Sequence, residues 1–281
     1  MPNDSRRVSE SPWPALIRYG RTPKGLVLIV LAILVTIASA GEGVRLVIPG
    51  LAGAAGAAML VDAPILRFRE EEWLFPDGAL ITGLIIAMIL SPHERWYVAA
   101  VTSVLAVLSK YVVRGRSANV FNPAALALVV TYYLFDTGQS WWGALPELPP
   151  AALAVLLVTG VYITTRVNKV PAVLAFLGSY FTLATLAAFA GDPGHVAELY
   201  RAPDLHAALF LAFLMVTDPP TSPPKRTDQF VYGAIAGVAS YAVFAVIGAV
   251  YFLLAGVLVA NGWEALRRLR LANRRARLRA A

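Results

Sequence analysis

The chain predicts an all-α polytopic membrane protein of about ten crossing segments, arranged as two inverted five-helix halves with several short or broken helices. Three observations carry this expectation. Of 281 residues, 58% are hydrophobic and only 15% charged, outside the range of soluble domains. Apolar runs recur along the whole length, and many are bounded by Pro, Gly or a charge. The 24 Lys and Arg residues also fall into alternate connections between those runs.

Taken in order, full-length runs lie near 25–40, 44–64, 96–113, 150–165 and 171–190, close to the ~20 residues that cross a bilayer. The run from Gly25 to Ala40 ends in Ala-Ser-Ala-Gly. It loosely resembles a leader cleavage site, and we read it as a retained first crossing because the next run starts at once. Runs near 78–91, 121–135 and 205–216 are short, as partial helices buried in a bundle would be. The stretch from Phe230 to Asn261 is too long for one crossing and divides at Gly248. The resulting organisation is an N-terminal segment 1–24, a membrane domain 25–264 with halves near 25–136 and 150–264, and a basic tail 265–281.

With ten crossings, 21 of the 24 basic residues share one side, and Arg45, Arg95 and Arg201 take the other. The positive-inside rule then makes the rich side cytoplasmic, with both termini there, in an inner (plasma) membrane. The seven arginines from Arg267 to Arg279, interleaved with Leu266, Leu269 and Leu271, read as a juxtamembrane helix on anionic headgroups, with no nucleic-acid partner. Five crossings per half require any internal repeat to be inverted. Thr82-Gly83 in the third run and Thr217-Asp218 at the end of the eighth occupy corresponding places.

Function is expected at two interruptions. Asn119-Val-Phe-Asn-Pro-Ala124 places Asn122-Pro123 at the mouth of an apolar run, and Thr217-Asp218-Pro219-Pro220 closes another almost a hundred residues later. Irregular polar backbone at membrane depth is tolerated where it is buried in protein or lines a cavity, so the pair points to one central site. Asn122-Pro123 also suits a plain helix start, and its exposed N–H groups suit an anionic phosphate or a ring's polar edge; both readings can hold together. Asp218 is either a functional intramembrane acid or an interfacial helix-end residue near Lys225 and Arg226, solvated or salt-bridged. Asp77 reads as a helix cap.

Asp77-Gly-Ala-Leu-Ile-Thr-Gly83, Asn119-Val-Phe-Asn-Pro-Ala124, and Met215-Val-Thr-Asp-Pro-Pro-Thr-Ser-Pro223 followed by Tyr232-Gly-Ala-Ile-Ala-Gly237 occur in that order. Together they resemble the membrane-protein family that contains RnfD of the Rnf electron-transport complex and NqrB of the sodium-pumping NADH:quinone reductase. The resemblance covers roughly residues 60–135 and 205–262. It implies a ten-helix inverted-repeat subunit that works with other membrane and redox subunits in electron transport coupled to ion movement. It also implies a cofactor site on Thr82, Gly83, Asn119, Phe121, Asn122, Pro123, Thr217, Asp218 and Pro219. One departure matters: the family's Thr-centred flavinylation motif is absent, since the connection from Asp136 to Pro150 is short and lacks the pattern. No covalent FMN is therefore expected, and any flavin, FMN or riboflavin, is expected to be held non-covalently.

Other classes are excluded or set aside. Without cysteine the chain offers no thiolate for an iron–sulfur cluster, disulfide or thiol catalysis. No Gly-x-Gly-x-x-Gly follows a predicted strand, so nicotinamide chemistry belongs to a partner and the chain is not expected to be an autonomous enzyme. His93, His195 and His206 share no helix face and are not read as metal or haem ligands. Trp96-Tyr97 and Trp141-Trp142 read as interfacial belt residues. The alternative function is an inverted-repeat channel or carrier for a small solute, cation or flavin without redox activity.

Overall fold

A computed structural model describes residues 13–115, 118–191 and 193–280. The predicted crossings appear as ten helices: α2 (Pro23–Glu42), α3 (Val44–Glu70), α4 (Asp77–Ile89), α5 (Trp96–Val112), α6 (Pro123–Phe135), α7 (Pro150–Arg166), α8 (Val170–Ala190), α10 (Asp204–Leu214), α11 (Arg226–Ile247) and α12 (Phe252–Ala280). Two short helices, α1 (Trp13–Gly20) and α9 (Pro193–Ala197), accompany them. Four helices, α2, α3, α8 and α11, are long and apolar enough to cross a membrane by length and composition. The chain is a multi-pass, all-α membrane protein.

Local chemistry sets the boundaries. Thr22 caps α2 by accepting the Gly25 N–H at 3.1 Å, with Pro23 in the first turn, where its missing donor costs nothing. Asn122 does the same for α6, accepting from Ala125 N–H at 3.1 Å ahead of Pro123. Gly248 stops α11 at φ 65°, which is where the long C-terminal apolar stretch divides. Beyond it α12 runs unbroken to Ala280, so the basic tail continues the helix that opens at Phe252.

Corresponding helices pair alike in the two halves. α3 packs on α5 as α8 packs on α11, α5 meets α6 as α11 meets α12, and α2 meets α4 as α7 meets α10. The closest crossings use glycine: a Cβ at Gly233 would strike the Ala172 carbonyl, and one at Gly237 would lie 2.6 Å from the Phe176 carbonyl oxygen. Gly233 and Gly237 thus form a small-xxx-small stripe that brings α11 against α8.

The connection from Asp136 to Pro149 differs from expectation. Trp141 and Trp142 are 5% and 2% exposed, and Trp142 Nε1 donates to the Ala87 carbonyl at 2.6 Å. They belong to the core, not to an interfacial belt. A buried indole needs an acceptor, and the carbonyl near the C-terminal end of the short α4 supplies one. Trp96 and Tyr97 are exposed, as a belt requires.

Candidate functional site

A cavity of about 480 Å3 opens among the arginine-rich ends of the helices. Its walls come from α2 (Pro23, Lys24, Val27), α4 (Gly78, Ile81, Thr82, Ile85), Lys110 of α5, and Asn119, Asn122, Pro123 and Ala124 around the start of α6. Ile163 and Val167 close another side, and Leu214, Thr217, Asp218, Pro219 and Pro220 complete it. Both interruptions predicted to converge therefore meet here, and seven of the nine expected site residues line the space.

Gly83 and Phe121 do not line it. A Cβ on Gly83 would lie 2.7 Å from the Ala54 carbonyl oxygen, so this glycine permits α4 to cross α3 closely. Phe121 turns toward α12, its ring near Gly262.

The polar groups are arranged by sign. The N-termini of α2, α4 and α6 reach the cavity with their partial positive charge. Lys110 Nζ donates to the Gly78 carbonyl at 3.0 Å, and Lys24 Nζ lies 2.7 Å from Asp77 Oδ1. Asp77 is not the expected side-chain cap, since Pro76 holds the cap position; it links α4 to Lys24 and accepts from the Tyr19 hydroxyl at 3.3 Å. Thr82 and Thr217 donate to the carbonyls of Gly78 and Phe213, at 2.7 and 2.6 Å. Their hydroxyl protons are thus engaged, leaving oxygen lone pairs for a ligand. Asn122, whose oxygen serves Ala125, has its NH2 left to offer.

Asp218 sits half-buried in the loop after α10, and Oδ2 accepts from the Thr221 hydroxyl at 2.8 Å. Among the described residues Asp218 forms no salt bridge with Lys225 or Arg226, both of which are exposed. Burial raises the Asp218 carboxyl above its ordinary pKa, while the Thr221 hydrogen bond and the charges of Lys110, Lys169 and Arg268 pull it down.

Residues that drew no attention in the sequence hold this wall in place. Prolines 219, 220, 223 and 224 deprive the loop of backbone donors, and its carbonyls turn outward to side chains. Lys169 Nζ reaches the Pro223 carbonyl at 2.7 Å and that of Ser222 at 3.3 Å, and burial pushes this ammonium down to about 8 against the pull of Asp218 and Glu264. Arg268 donates to the Pro220 carbonyl at 2.8 Å while bound to the buried Glu264 at 2.7 Å. Arg267 joins Glu264 to Asp228 at 2.7 Å. Asn261 is fully buried; its oxygen accepts the Asn122 N–H at 2.8 Å and its nitrogen donates to the Tyr232 hydroxyl at 2.7 Å. An Asn closing a long apolar run was the available signal.

His206 donates to, or is oriented by, the Ala144 carbonyl at 2.8 Å, and His93 is exposed. The side chain of His195 lies outside the described residues. Among the described residues no three His, Cys, Asp or Glu side chains group as a metal would need.

The profile of the NQR2, RnfD, RnfE family matches residues 18–147 and 149–266, which takes in both interruptions and every cavity wall. The chain belongs to this family. Similar proteins include the D subunit of the ion-translocating oxidoreductase complex from Escherichia coli O1:K1 / APEC, from O139:H28 (strain E24377A / ETEC) and from strain K12 / DH10B. Each is 32% identical over 103 residues, a match that spans 35% of this chain and 28% of the relative's length.

Proposed function

We propose that this chain is an integral membrane subunit of an ion-translocating oxidoreductase complex, and that its cavity holds a flavin without a covalent bond. Other membrane and redox subunits supply and withdraw the electrons. The arginine-rich end faces the cytoplasm, in an inner membrane. The observation that carries the reading is the cavity itself. Its 480 Å3 falls in the ~300–1,000 Å3 range of small-molecule sites, and it gathers Thr82, Asn119, Asn122, Pro123, Thr217, Asp218 and Pro219 from distant parts of the chain.

The lining suits a flat heteroaromatic ring. Val27, Ile81, Ile85, Ile163, Val167 and Leu214 give apolar faces, and the Asn122 amide, Thr82, Thr217 and Asp218 give hydrogen-bonding groups for a polar edge. When bound, a flavin supplies one- and two-electron transfer; the protein's part is to position it and tune its surroundings. Lys24, Lys110 and three helix N-termini favour negative charge on whatever they face, which raises the tendency of a bound ring to accept electrons. Asn122 and the two Thr residues fix its orientation, and the Asp218 loop forms one wall.

The test is the visible spectrum of the purified protein. A flavin spectrum that is lost to the supernatant on denaturation supports the proposal. Colourless, folded protein that moves a solute into liposomes supports a carrier instead.

A further inference from the structure

We propose that Asp218 is the proton-exchanging group of the cavity, passing a proton to and from the ring of the bound flavin as its electron count changes. The inference rests on the flavin reading above and adds a chemical role for one residue.

Four observations lead to it. Among the described residues lining the cavity, Asp218 is the one carboxylate. Thr82 and Thr217 hold their protons on carbonyls of the preceding turn, Lys110 donates to Gly78 and Lys24 to Asp77, and the remaining polar lining, Asn119 and Asn122, is amide and does not titrate. Asp218 makes no ion pair among the described residues, and its Oδ2 takes a single hydrogen bond, from Thr221. Adjacent Pro219 and Pro220 line the cavity and are exposed, so the loop that carries the carboxyl reaches the cavity's edge.

The charges facing Asp218 come from every side, and each is held elsewhere. Lys110 of α5 is bound to Gly78, Lys169 before α8 to Ser222 and Pro223, and Arg268 of α12 to Glu264 and Pro220. Tyr232 of α11 receives the Asn261 amide, and Lys24 of α2 pairs with Asp77 of α4 at the rim. Asp218 thus feels three cations without touching one. Burial and these cations act in opposite directions on the carboxyl, with burial the larger, which favours a group that changes protonation when a charge appears beside it.

The step balances as follows. Two electrons arrive singly from a one-electron redox centre of another subunit. The Asp218 O–H bond breaks, an N–H bond forms on the ring, and the ring becomes two-electron reduced and singly protonated. The carboxylate left behind takes a proton from the medium at the cavity mouth. Oxidation reverses each transfer.

The experiment is rapid-mixing reduction of the bound flavin by dithionite in the purified full-length chain, with protonation of the reduced ring followed by its spectrum across neutral and mildly acidic pH. In the wild type and in Asp218→Glu the rate at which the reduced ring gains its proton should fall as pH rises through the carboxyl's titration range. In Asp218→Asn that segment should flatten. Thr221→Val leaves the carboxylate in place and removes the bond that stabilises its charged form, so the inflection should move to higher pH. An unchanged pH profile in both Asp218→Asn and Thr221→Val, with flavin still bound, overturns the proton role and leaves the flavin site standing. Protein that remains colourless after incubation with FMN and with riboflavin overturns both.

Discussion

Replacing Asn261 with Leu should destabilise the protein more than replacing any residue that lines the cavity. Asn261 is fully buried and serves two elements at once: Oδ1 holds the Asn122 N–H at 2.8 Å, and Nδ2 holds the Tyr232 hydroxyl at 2.7 Å. Leucine has a similar volume and leaves both partners in place without water. Each orphaned buried group costs ~1–3 kcal/mol, so the pair amounts to about 2–6 kcal/mol. Asn122→Ala makes the internal comparison, because it deletes the cap on Ala125 and leaves the Asn122 N–H on Asn261, at a cost of ~1 kcal/mol. Thr36→Val, on an exposed face where the hydroxyl bonds Ala32 of its own helix, should stay within ~0.5 kcal/mol of wild type. Thermal unfolding in detergent checks the order. At about 2–4 °C per kcal/mol, Asn261→Leu should lower the midpoint by at least ~4 °C. A midpoint for Asn261→Leu equal to that of Thr36→Val would refute the idea that this amide joins α6, α11 and α12.

Cysteines placed singly at the exposed positions Glu147 and Lys225 of a chain with no native cysteine should react differently with an impermeant thiol reagent on intact cells. Labelling at Glu147 and protection at Lys225 is expected, and the reverse pattern would invert the proposed orientation. In-gel fluorescence of the denatured polypeptide should be absent; an intact mass raised by one FMN would show a covalent bond after all. Gly237→Ala should lower stability by ~1–3 kcal/mol through overpacking against the Phe176 carbonyl, and chromatography in detergent would report loosening of the α8–α11 pair.

What could be read from the sequence was whatever periodicity and helix-breaking chemistry decide. Apolar runs bounded by Pro, Gly and charge located the ten main helices, short ones included, and Gly248 split the last run where its left-handed backbone ends α11. The convergence of Asn122 with Thr217 and Asp218 was also legible, because two polar interruptions of apolar runs each need protein partners. The supporting residues were hidden. Lys169 and Arg268 resembled positive-inside charges, and only the proline-rich loop's lack of donors explains why they turn inward to its carbonyls. Gly83 entered the expected site with Thr82 through the family resemblance, and adjacent helical residues point about 100° apart, so Gly83 faces α3 while Thr82 faces the cavity. Trp141-Trp142 was misplaced because a belt and a buried plug use the same residue type, and the acceptor on Ala87 that separates them is distant in sequence.

The cavity exists because three helices stop short. α4 and α6 have 13 residues each and α10 has 11, which at ~1.5 Å per residue gives about 17–20 Å against a hydrocarbon core of ~30 Å. The missing length is made up by the loops that carry Asn119–Asn122 and Thr217–Pro224, and between them lies the space. The direction of each helix then fixes the electrostatics: α4 and α6 present N-termini, α10 a C-terminus. Left alone, the C-terminal carbonyls of α10 and the proline-rich loop would make the site negative. Lys169 and Arg268 bind the loop carbonyls of Pro220, Ser222 and Pro223, so the N-termini, Lys24 and Lys110 dominate inside the cavity, where Asp218 is the one carboxylate among the described lining residues. A carboxylate in that setting can be lost or neutralised without unfolding the loop, since Ser222 and Thr221 bind the Asp218 backbone carbonyl independently of its side chain. That separation of charge from support is why substitution at Asp218 should report on chemistry, and substitution at Asn261 on the fold.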